Sequence, residues 1–418
     1  MSDFFYKLFF VILLCSEFYY VPVGGGVARL YHFFAIAVIL ALRKSFTDLF
    51  KSSTFIAICL FVSINIFAIL FSDFPVKALA SFCSFLGNIG VAIATALILI
   101  SGKISLKVFK RMIMGITIVS ILWAVIQILS FKYFGKNLAL SSQQEPQIMI
   151  GFGPGFRTEA NAFGKFLSLP FLLFLPEIVQ KKRPGFLGWA YLIIAVGIVV
   201  NFTRTSIYGI GIAMIFFVFS YFKSRTASKL VIRGGYVAIV FSIFVFASTN
   251  GWLGSSEYGS FKMQNLFNQE EVLEGGSSAY RLESMQAVLD NTLPNPKRVM
   301  IGNGWGQTYV EVRGEEIQAG GGDSVNILGY SGAIGVLFYL FYSLAALWSA
   351  RMASKHSMDI DLKLLAEGVF FAGIGIFATS QIAGCLITPE YWMLMGICMY
   401  FGVSKGRPPR IVEEVLTA

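Results

Sequence analysis

Long apolar runs, separated by short charged segments, repeat along the whole chain. A run of about 20 mostly apolar residues is long enough to cross a bilayer, and a helix satisfies its own backbone hydrogen bonds in lipid. By this length rule the sequence predicts about twelve transmembrane helices. They begin near Phe4, Val27, Thr54, Ala78, Met112, Ala162, Phe186, Ser206, Leu230, Ser324, Leu364 and Cys385. We therefore expect an all-α polytopic membrane protein with both termini on one side.

The composition agrees with a chain that lies in lipid. Of the 418 residues, 56% are hydrophobic and 13% are charged, whereas roughly a quarter of the residues in a soluble domain are charged. The first apolar run lacks a signal-peptide cleavage pattern, so we expect it to be a retained span. The five cysteines fall inside or at the edges of apolar runs, where they are expected to behave as small buried hydrophobes.

The positive charge of the chain is concentrated in alternate connections between the predicted spans. The net charge is +10, and about two thirds of the 33 Lys and Arg residues lie at the termini or in these connections. The connections comprise residues 43–51, 103–111, 181–183, 223–233 and 351–363. Loops rich in Lys and Arg remain in the cytoplasm, so this pattern predicts cytoplasmic termini. Topology thus explains the basic charge, and no nucleic-acid partner is expected.

Two connections on the opposite, external side are long enough to hold a site. They span residues 131–161 and 249–323, and loops of this length are uncommon unless they are functional or disordered. The second carries ten acidic and five basic residues. Its residues 278–289 have helical apolar spacing, which predicts a short amphipathic helix on the membrane surface. We treat residues 1–418 as one membrane domain whose two external loops cover the active site.

Three arginines lie near the external ends of predicted spans, namely Arg157, Arg204 and Arg281. Guanidinium binds phosphate through paired hydrogen bonds and stays charged, so converging arginines would suit a lipid-linked pyrophosphate. The alternative is that each arginine reaches lipid headgroups or pairs with a nearby acid. The glycine-rich stretch 151–161 leads to a helix start that would favour an anion, although a plain loop-to-helix transition explains it equally simply.

Two further glycine-rich segments carry candidate residues. The segment 302–306 has no strand before it and is no dinucleotide fingerprint; it would present Trp305 to a sugar, or form a simple structural turn. The segment 320–326 leads into a span, and its Asp323 would act as a general base or cap the following helix. Asp359 and Asp361 are predicted to form a solvated turn. With two histidines in the chain, no metal site is expected.

Four sets of short motifs together resemble the bacterial O-antigen polymerase and ligase superfamily. They are Arg157–Asn161, Thr203–Arg204, Tyr280–Arg281 with Ile301–Gly304, and Gly322–Asn326 with Gly332–Gly335. The resemblance extends to the number of spans and to the large external loop before the third-last span. It implies a GT-C-like membrane fold in the bacterial cytoplasmic (inner) membrane, with the active site on the periplasmic face.

Ligases of this superfamily carry a histidine in that loop, where this chain has Asp323 and no histidine. This favours a Wzy-type polymerase, although Ser168 departs from the spaced Arg-to-Gly motif of some polymerases. The resemblance implies that a glycan is moved from undecaprenyl pyrophosphate to the next lipid-linked repeat unit of an O-antigen, capsule or exopolysaccharide. Membrane lipid and a chain-length regulator protein are the further partners, and no cofactor or metal is required.

The residues divide into three roles under this hypothesis. Arg157, Arg204 and Arg281 would bind the pyrophosphate, and Asp323, with Glu159 in reserve, would accept the proton of the acceptor hydroxyl. The residues expected to contact glycan are Asn161, Trp305, Tyr309 and Asn326.

The alternatives are an O-antigen ligase, a transporter or flippase of lipid-linked glycans, and a scaffold protein. Transporters place ionisable pairs near the bilayer midplane, whereas Glu17, Lys165 and Glu367 lie toward span ends.

Overall fold

The computed structural model describes most of the chain, and its regular structure is mostly helical. The described residues are 2–17, 19–23, 26–149, 153–180, 185–201, 203–222, 276–312, 315–318 and 321–404. The span predicted near Leu230 and the first part of the second external loop lie outside them.

The first half of the fold consists of nine α-helices, a 3-10 helix and a hairpin among the described residues. The helices are α1 Asp3–Cys15, α2 Leu30–Ala41, α3 Ser53–Leu70, α4 Pro75–Ile100, α5 Leu106–Phe134, α6 Glu145–Met149, α7 Ala160–Gln180, α8 Phe186–Asn201 and α9 Arg204–Phe222. The hairpin joins β1 Tyr20–Val23 to β2 Gly26–Arg29, and the 3-10 helix covers Arg43–Lys51.

The second half adds five helices and a second hairpin to the described part. They are α10 Gly276–Thr292, α11 Pro296–Ile301, α12 Asp323–His356, α13 Ile360–Ser380 and α14 Pro389–Ser404, and the strands are β3 Tyr309–Val312 and β4 Glu315–Gln318, paired antiparallel. Helix α10 confirms the helix predicted over residues 278–289.

The structure supports a polytopic membrane protein, but the number of twelve spans is not confirmed. Among the described residues, six helices are long and apolar enough to cross a bilayer, namely α3, α4, α5, α7, α12 and α13. Helices α1, α2 and α14 have 13, 12 and 16 residues. At 1.5 Å per residue, helices of this length extend roughly 18–24 Å, which is less than the ~30 Å hydrocarbon core.

Close helix packing in the bundle depends on glycines at the contacts. Helix α13 packs on α7 and α9, α12 on α3 and α13, and α14 on α4. A Cβ added to Gly368 would lie 1.9 Å from the carbonyl oxygen of Leu173, and one added to Gly396 would lie 2.4 Å from that of Ala92. Small residues let backbones approach in this way in membrane bundles.

Helices α12, α13 and α14 alternate in direction, because the turn between α13 and α14 lies against the start of α12. One end holds the start of α7, α12 and α14 and the end of α13; we call it the site end. The other end holds the end of α12 and the start of α13, and there Lys110 of α5 pairs with Glu177 of α7 at 2.9 Å. This alternation agrees with basic connections at the opposite end.

A kink in α12 shapes the site end. Ser331 and Gly332 have non-helical dihedrals, with φ of +67° at Gly332. The break frees carbonyl groups of α12, and those of Gly329 and Tyr330 accept hydrogen bonds from the amides of Asn303 and Gly304, at 2.8 and 2.9 Å. The glycine-rich 302–306 segment is therefore docked on the kink by its backbone.

Candidate active site

The loop that carries Arg157 is fixed by two buried glutamines. The side-chain amide of Gln144 donates to the carbonyl oxygens of Arg157 and Gly155, and it accepts from Gln127 at 3.2 Å. Gln127 also accepts the amide hydrogen of Gly155 at 3.1 Å. Because both glutamines are fully buried, these hydrogen bonds hold the loop against the end of α5 and determine where Arg157 points.

The guanidinium of Arg157 is fully buried between two carboxylates. Its Nη1 lies 3.4 Å from Glu17 and its Nη2 lies 3.4 Å from Glu390. The guanidinium also lies 4.3 Å from the centre of the Phe166 ring, within range of a cation–π interaction. Burial alone would lower the pKa of Arg157, but the carboxylates of Glu390 and Glu17 raise it above its ordinary value. Arg157 therefore remains charged and joins the segments before α7, after α1 and in α14.

Two more cations attach to the turn between α13 and α14. Arg29, at the end of β2, donates to the carbonyl oxygen of Ile387 at 3.1 Å. Lys165 of α7 donates to the carbonyl oxygen of Gly384 at 2.8 Å. Each cation thus binds the backbone of residues 381–388 from a different side, so this turn forms the centre of the site end.

Asp323 binds the same turn from the start of α12. Its Oδ2 accepts the amide hydrogens of Cys385 at 2.8 Å and Leu386 at 3.2 Å, and the side chain is only 2% exposed. The cap position of α12 is Gly322, which has no side chain, and the described hydrogen bonds of the Asp323 carboxylate come from Cys385 and Leu386 and not from α12. Gly384 donates to the carbonyl oxygen of Gly321 at 2.8 Å, which closes the contact between the two segments.

Together these groups form one network, in which Arg157 and the three carboxylates are buried and Arg29 and Lys165 are half-buried. Among the described residues it has three cations and three carboxylates: Arg29, Arg157, Lys165, Glu17, Asp323 and Glu390. Unpaired charges are costly to bury, so this balance lets the chain hold six ionisable groups at one end of the bundle.

A cluster of buried polar atoms lies beside this network, in the turn between α8 and α9. Asn201 donates to the carbonyl oxygen of Ala160 at 2.9 Å. A Cβ on Gly164 would lie 1.8 Å from Thr203 Oγ1, so the turn packs directly on the first turns of α7. Four atoms of the turn are buried without a partner among the described residues, namely Asn201 Oδ1, Thr203 Oγ1, Thr205 Oγ1 and Ser206 Oγ. Buried polar groups are normally hydrogen-bonded, so this turn has capacity to bind a polar ligand.

Two of the predicted arginines lie on the edge of the same region. The backbone of Arg204 begins α9, directly beside these hydroxyl groups, and its side chain lies outside the described residues. Arg281 of α10 is half-buried, and its carbonyl oxygen is 3.6 Å from the Cβ position of Gly321. Burial lowers the pKa of Arg281, and the carboxylate of Glu159 acts against that shift. Arg281 and Glu159 are therefore close enough to interact.

The structure places the predicted glycan contacts in different surroundings. Trp305 is 7% exposed and its ring centre lies 4.1 Å from that of Phe85. These contacts support the alternative that residues 302–306 form a structural turn. Tyr309 is 44% exposed on β3. Asn326 carries a buried Oδ1 without a partner among the described atoms, and Asn161 is half-buried in the first turn of α7. Their contacts with glycan, and the roles of the arginines and acids, stay predictions.

Sequence reasoning did not assign Glu17, Glu390, Lys165 or Arg29 to the site. A signal was available for Glu390, because it is the one charged residue among positions 384–404 of an otherwise uncharged stretch. Charges inside apolar segments are expensive and functional by default. Within the part of the chain that the structure describes, no group of three or more His, Cys, Asp or Glu residues has metal-site geometry.

Comparison with known proteins finds that part of the chain is similar to one family. Residues 189–328, about a third of the chain, match the family described as O-antigen ligase. No curated protein matches the chain. The matched residues include Arg204, Arg281 and Asp323, whereas Arg157 and Glu390 lie outside them. Over residues 189–328 the chain is thus similar to O-antigen ligases, which confirms the resemblance to the O-antigen polymerase and ligase superfamily without separating polymerases from ligases.

Proposed function

We propose that this chain is a membrane glycosyltransferase of the polymerase type, which moves a glycan from a polyprenyl pyrophosphate carrier to the next lipid-linked repeat unit. The observation that carries the proposal is that the backbone of Arg281 lies against Gly321, two residues before Asp323, while the hydroxyl-rich turn of residues 201–206 packs on the start of α7 at the same end of the bundle. This arrangement provides a guanidinium that can bind an anion and a carboxylate that can bind a hydroxyl, both at one end of the bundle.

In the proposed reaction, an acceptor hydroxyl attacks the anomeric carbon of the donor sugar. The bond from that carbon to the pyrophosphate oxygen breaks, and the diphosphate leaves with the electron pair. Arg204 and Arg281 would stabilise the charge that develops on the leaving group, as fixed cations do in a water-poor site. Asp323 would take the hydroxyl proton through Oδ1, because both backbone amides that bind this carboxylate in the described structure bind Oδ2.

Arg157 would act differently from the other two arginines. Its guanidinium already faces Glu17 and Glu390 and is fully buried, so binding a diphosphate would first require these pairs to separate. We assign Arg157 a positioning role: it holds the loop before α7 and the start of α14 together, and thereby the turn that binds Asp323. Glu159, which is exposed and near Arg281, remains the reserve proton acceptor.

The test of Asp323 is its replacement by asparagine. Asp323→Asn keeps an oxygen that accepts the amides of Cys385 and Leu386 but removes the base, so we expect normal protein level and a loss of polymerisation of at least about 100-fold, as general bases contribute about 10²–10⁴-fold. The readout is the length of glycan made by purified protein from lipid-diphosphate-linked repeat units. Asp290→Asn, on the surface of α10, is the matched control, and it should retain full activity. Full activity of Asp323→Asn would refute the assignment.

A ligase is the second candidate, because the matched family is described by that activity. The two functions differ in the acceptor: a polymerase lengthens lipid-linked repeats, and a ligase transfers one glycan to a lipid A core. Offering both acceptors to the same preparation separates them. The absence of histidine from residues 249–323 favours the polymerase.

The positions of the described charges argue against a transporter. The described ion pairs within the bundle, such as Arg157–Glu390 and Lys110–Glu177, lie at its ends and not at its middle. An enzyme lengthens glycan in detergent, whereas a transporter needs a sealed vesicle. Activity that appears only in sealed vesicles would therefore favour the transporter.

A further inference from the structure

A polar cavity lies at the opposite end of the bundle from Asp323. It has a volume of about 410 Å³ and is bounded by the ends of α7, α9 and α12 and the start of α13. Asp323 and Arg351 are 28 residues apart on α12, which at 1.5 Å per residue corresponds to roughly 40 Å of helix between the two ends of the bundle. This cavity is therefore separate from the candidate active site, and its volume lies within the range of small-ligand sites.

Three basic side chains line this cavity, namely Arg351, Lys355 and Lys363. They come from two helices that a short turn joins, so their charges converge at one mouth. None of the three takes part in an ion pair within the described part of the chain. Arg351 is half-buried and lies 5.3 Å from the centre of the Phe370 ring, which supports its guanidinium at the cavity wall. Positive charge at this mouth is thus available to a ligand.

Among the described residues that line the cavity, the one carboxylate is Glu367, and other side chains of the protein bind it. Glu367 Oε2 accepts hydrogen bonds from Gln180 Nε2, at 2.8 Å, and from the hydroxyl of Tyr221. These bonds hold the carboxylate in the wall between α7, α9 and α13. The lining therefore keeps a net positive charge, and polar donors such as Ser354 lie beside it.

The surroundings of the cavity point to a ligand with an apolar part. Phe216 and Phe219 on α9 are 53% and 73% exposed, and Leu344 and Trp348 on α12 are 64% and 62% exposed. Trp348 and Arg351 are three residues apart, so they share one face of α12. In a membrane protein these exposed apolar faces contact acyl chains, and basic pockets between helices bind phosphate-bearing headgroups. A free anion would gain nothing from this apolar surface.

From these contacts we propose that the cavity binds the phosphate of an anionic phospholipid headgroup, with the acyl chains along the exposed faces of α9 and α12. This site is independent of the proposed glycosyl transfer. Arg351, Lys355 and Lys363 bind the phosphate, and Glu367 and Gln180 form the wall behind it.

The experiment measures lipid binding to the full-length protein in detergent. Purified protein is titrated with cardiolipin or with phosphatidylcholine, and bound lipid is counted by native mass spectrometry. The triple variant Arg351→Gln, Lys355→Gln, Lys363→Gln should bind cardiolipin about 100-fold more weakly, at about fivefold for each basic residue near the membrane surface.

The matched control is Lys103→Gln, Lys107→Gln, Arg111→Gln. It removes the same charge from exposed positions in the connection between α4 and α5 and the first turns of α5, outside the cavity. We expect it to change cardiolipin affinity less than twofold. Equal weakening in the two triple variants would overturn the proposal, because it would show a general effect of charge.

Two further measurements keep the proposal testable if the triple variant does not fold. Glu367→Gln removes the negative charge of the described lining and should tighten cardiolipin binding several-fold. Unchanged or weaker binding would contradict the placement of Glu367 beside the bound phosphate. Inorganic phosphate at millimolar concentration should not displace bound cardiolipin from the wild type. Displacement would show that the cavity prefers a free anion, and the lipid assignment would fall.

Discussion

The buried position of Arg157 leads to a strong prediction about stability. Replacing it by methionine keeps an unbranched side chain but removes the guanidinium, which leaves Glu17 and Glu390 without a cation between them. Removal of one partner from a buried ion pair costs about 3–5 kcal/mol, because a charge stays buried and uncompensated. At about 2–4 °C per kcal/mol in a large domain, Arg157→Met should lower the unfolding temperature by roughly 10 °C.

The assay is thermal unfolding of the purified protein in detergent, followed by size-exclusion chromatography after heating. A second variant, Arg157→Met with Glu17→Gln and Glu390→Gln, removes all three charges. It should recover most of the lost stability, because replacing a complete buried ion group is often neutral. This recovery distinguishes an electrostatic effect from simple loss of packing on Phe166.

The control is the exposed ion pair between Lys51 and Asp48, which are 2.6 Å apart with the lysine side chain 61% exposed. Lys51→Met should cost no more than about 1 kcal/mol, as surface pairs do. If Arg157→Met unfolds at the wild-type temperature, or if the neutral triple variant is no more stable than Arg157→Met, the reasoning on the buried network is wrong.

Three further changes test the packing of the site end. Gly332→Ala should abolish folding or cost at least about 3 kcal/mol, since φ is +67° and the new Cβ would lie 2.3 Å from the carbonyl carbon of Met300; the folded fraction in gel filtration checks it. Trp305→Ala should cost about 3–5 kcal/mol of unfolding free energy by leaving a cavity against Phe85, seen as a lower unfolding temperature. Gln144→Leu should cost about 1–3 kcal/mol for each buried group left unpaired, and faster hydrogen exchange over residues 153–157 would report it.

The apolar pattern predicted where several helices of the bundle begin, because burial in lipid requires long apolar runs. Helices α3 and α12 begin within one residue of the expected starts at Thr54 and Ser324. The lengths of the helices were harder to predict, because an apolar run that is long enough for one span can include a hairpin or turn. Helix α1, for example, ends at Cys15, and the apolar run continues into β1. Hydropathy registers the apolar run but does not show where the helix within it stops.

The partners of the candidate residues were not available from the sequence, because they are distant along the chain. Arg157 pairs with Glu17 and Glu390, which are 140 positions before it and more than 200 after it. Local inspection shows only Glu159 nearby, and that carboxylate faces Arg281 instead. The glycine pattern around Trp305 was equally ambiguous, since a tight turn exposes or buries its aromatic residue according to what packs against it.

The docking of residues 303–304 on the broken part of α12 has a consequence for how the protein is made. The carbonyl groups that fix this segment belong to Gly329 and Tyr330, which the ribosome adds more than twenty residues later. The segment that carries Asn303 and Gly304 therefore cannot reach its final form as it emerges, and must wait until α12 has been synthesised. During that interval a chaperone or protease would meet it, so defects at Gly332 should appear as degradation during biogenesis.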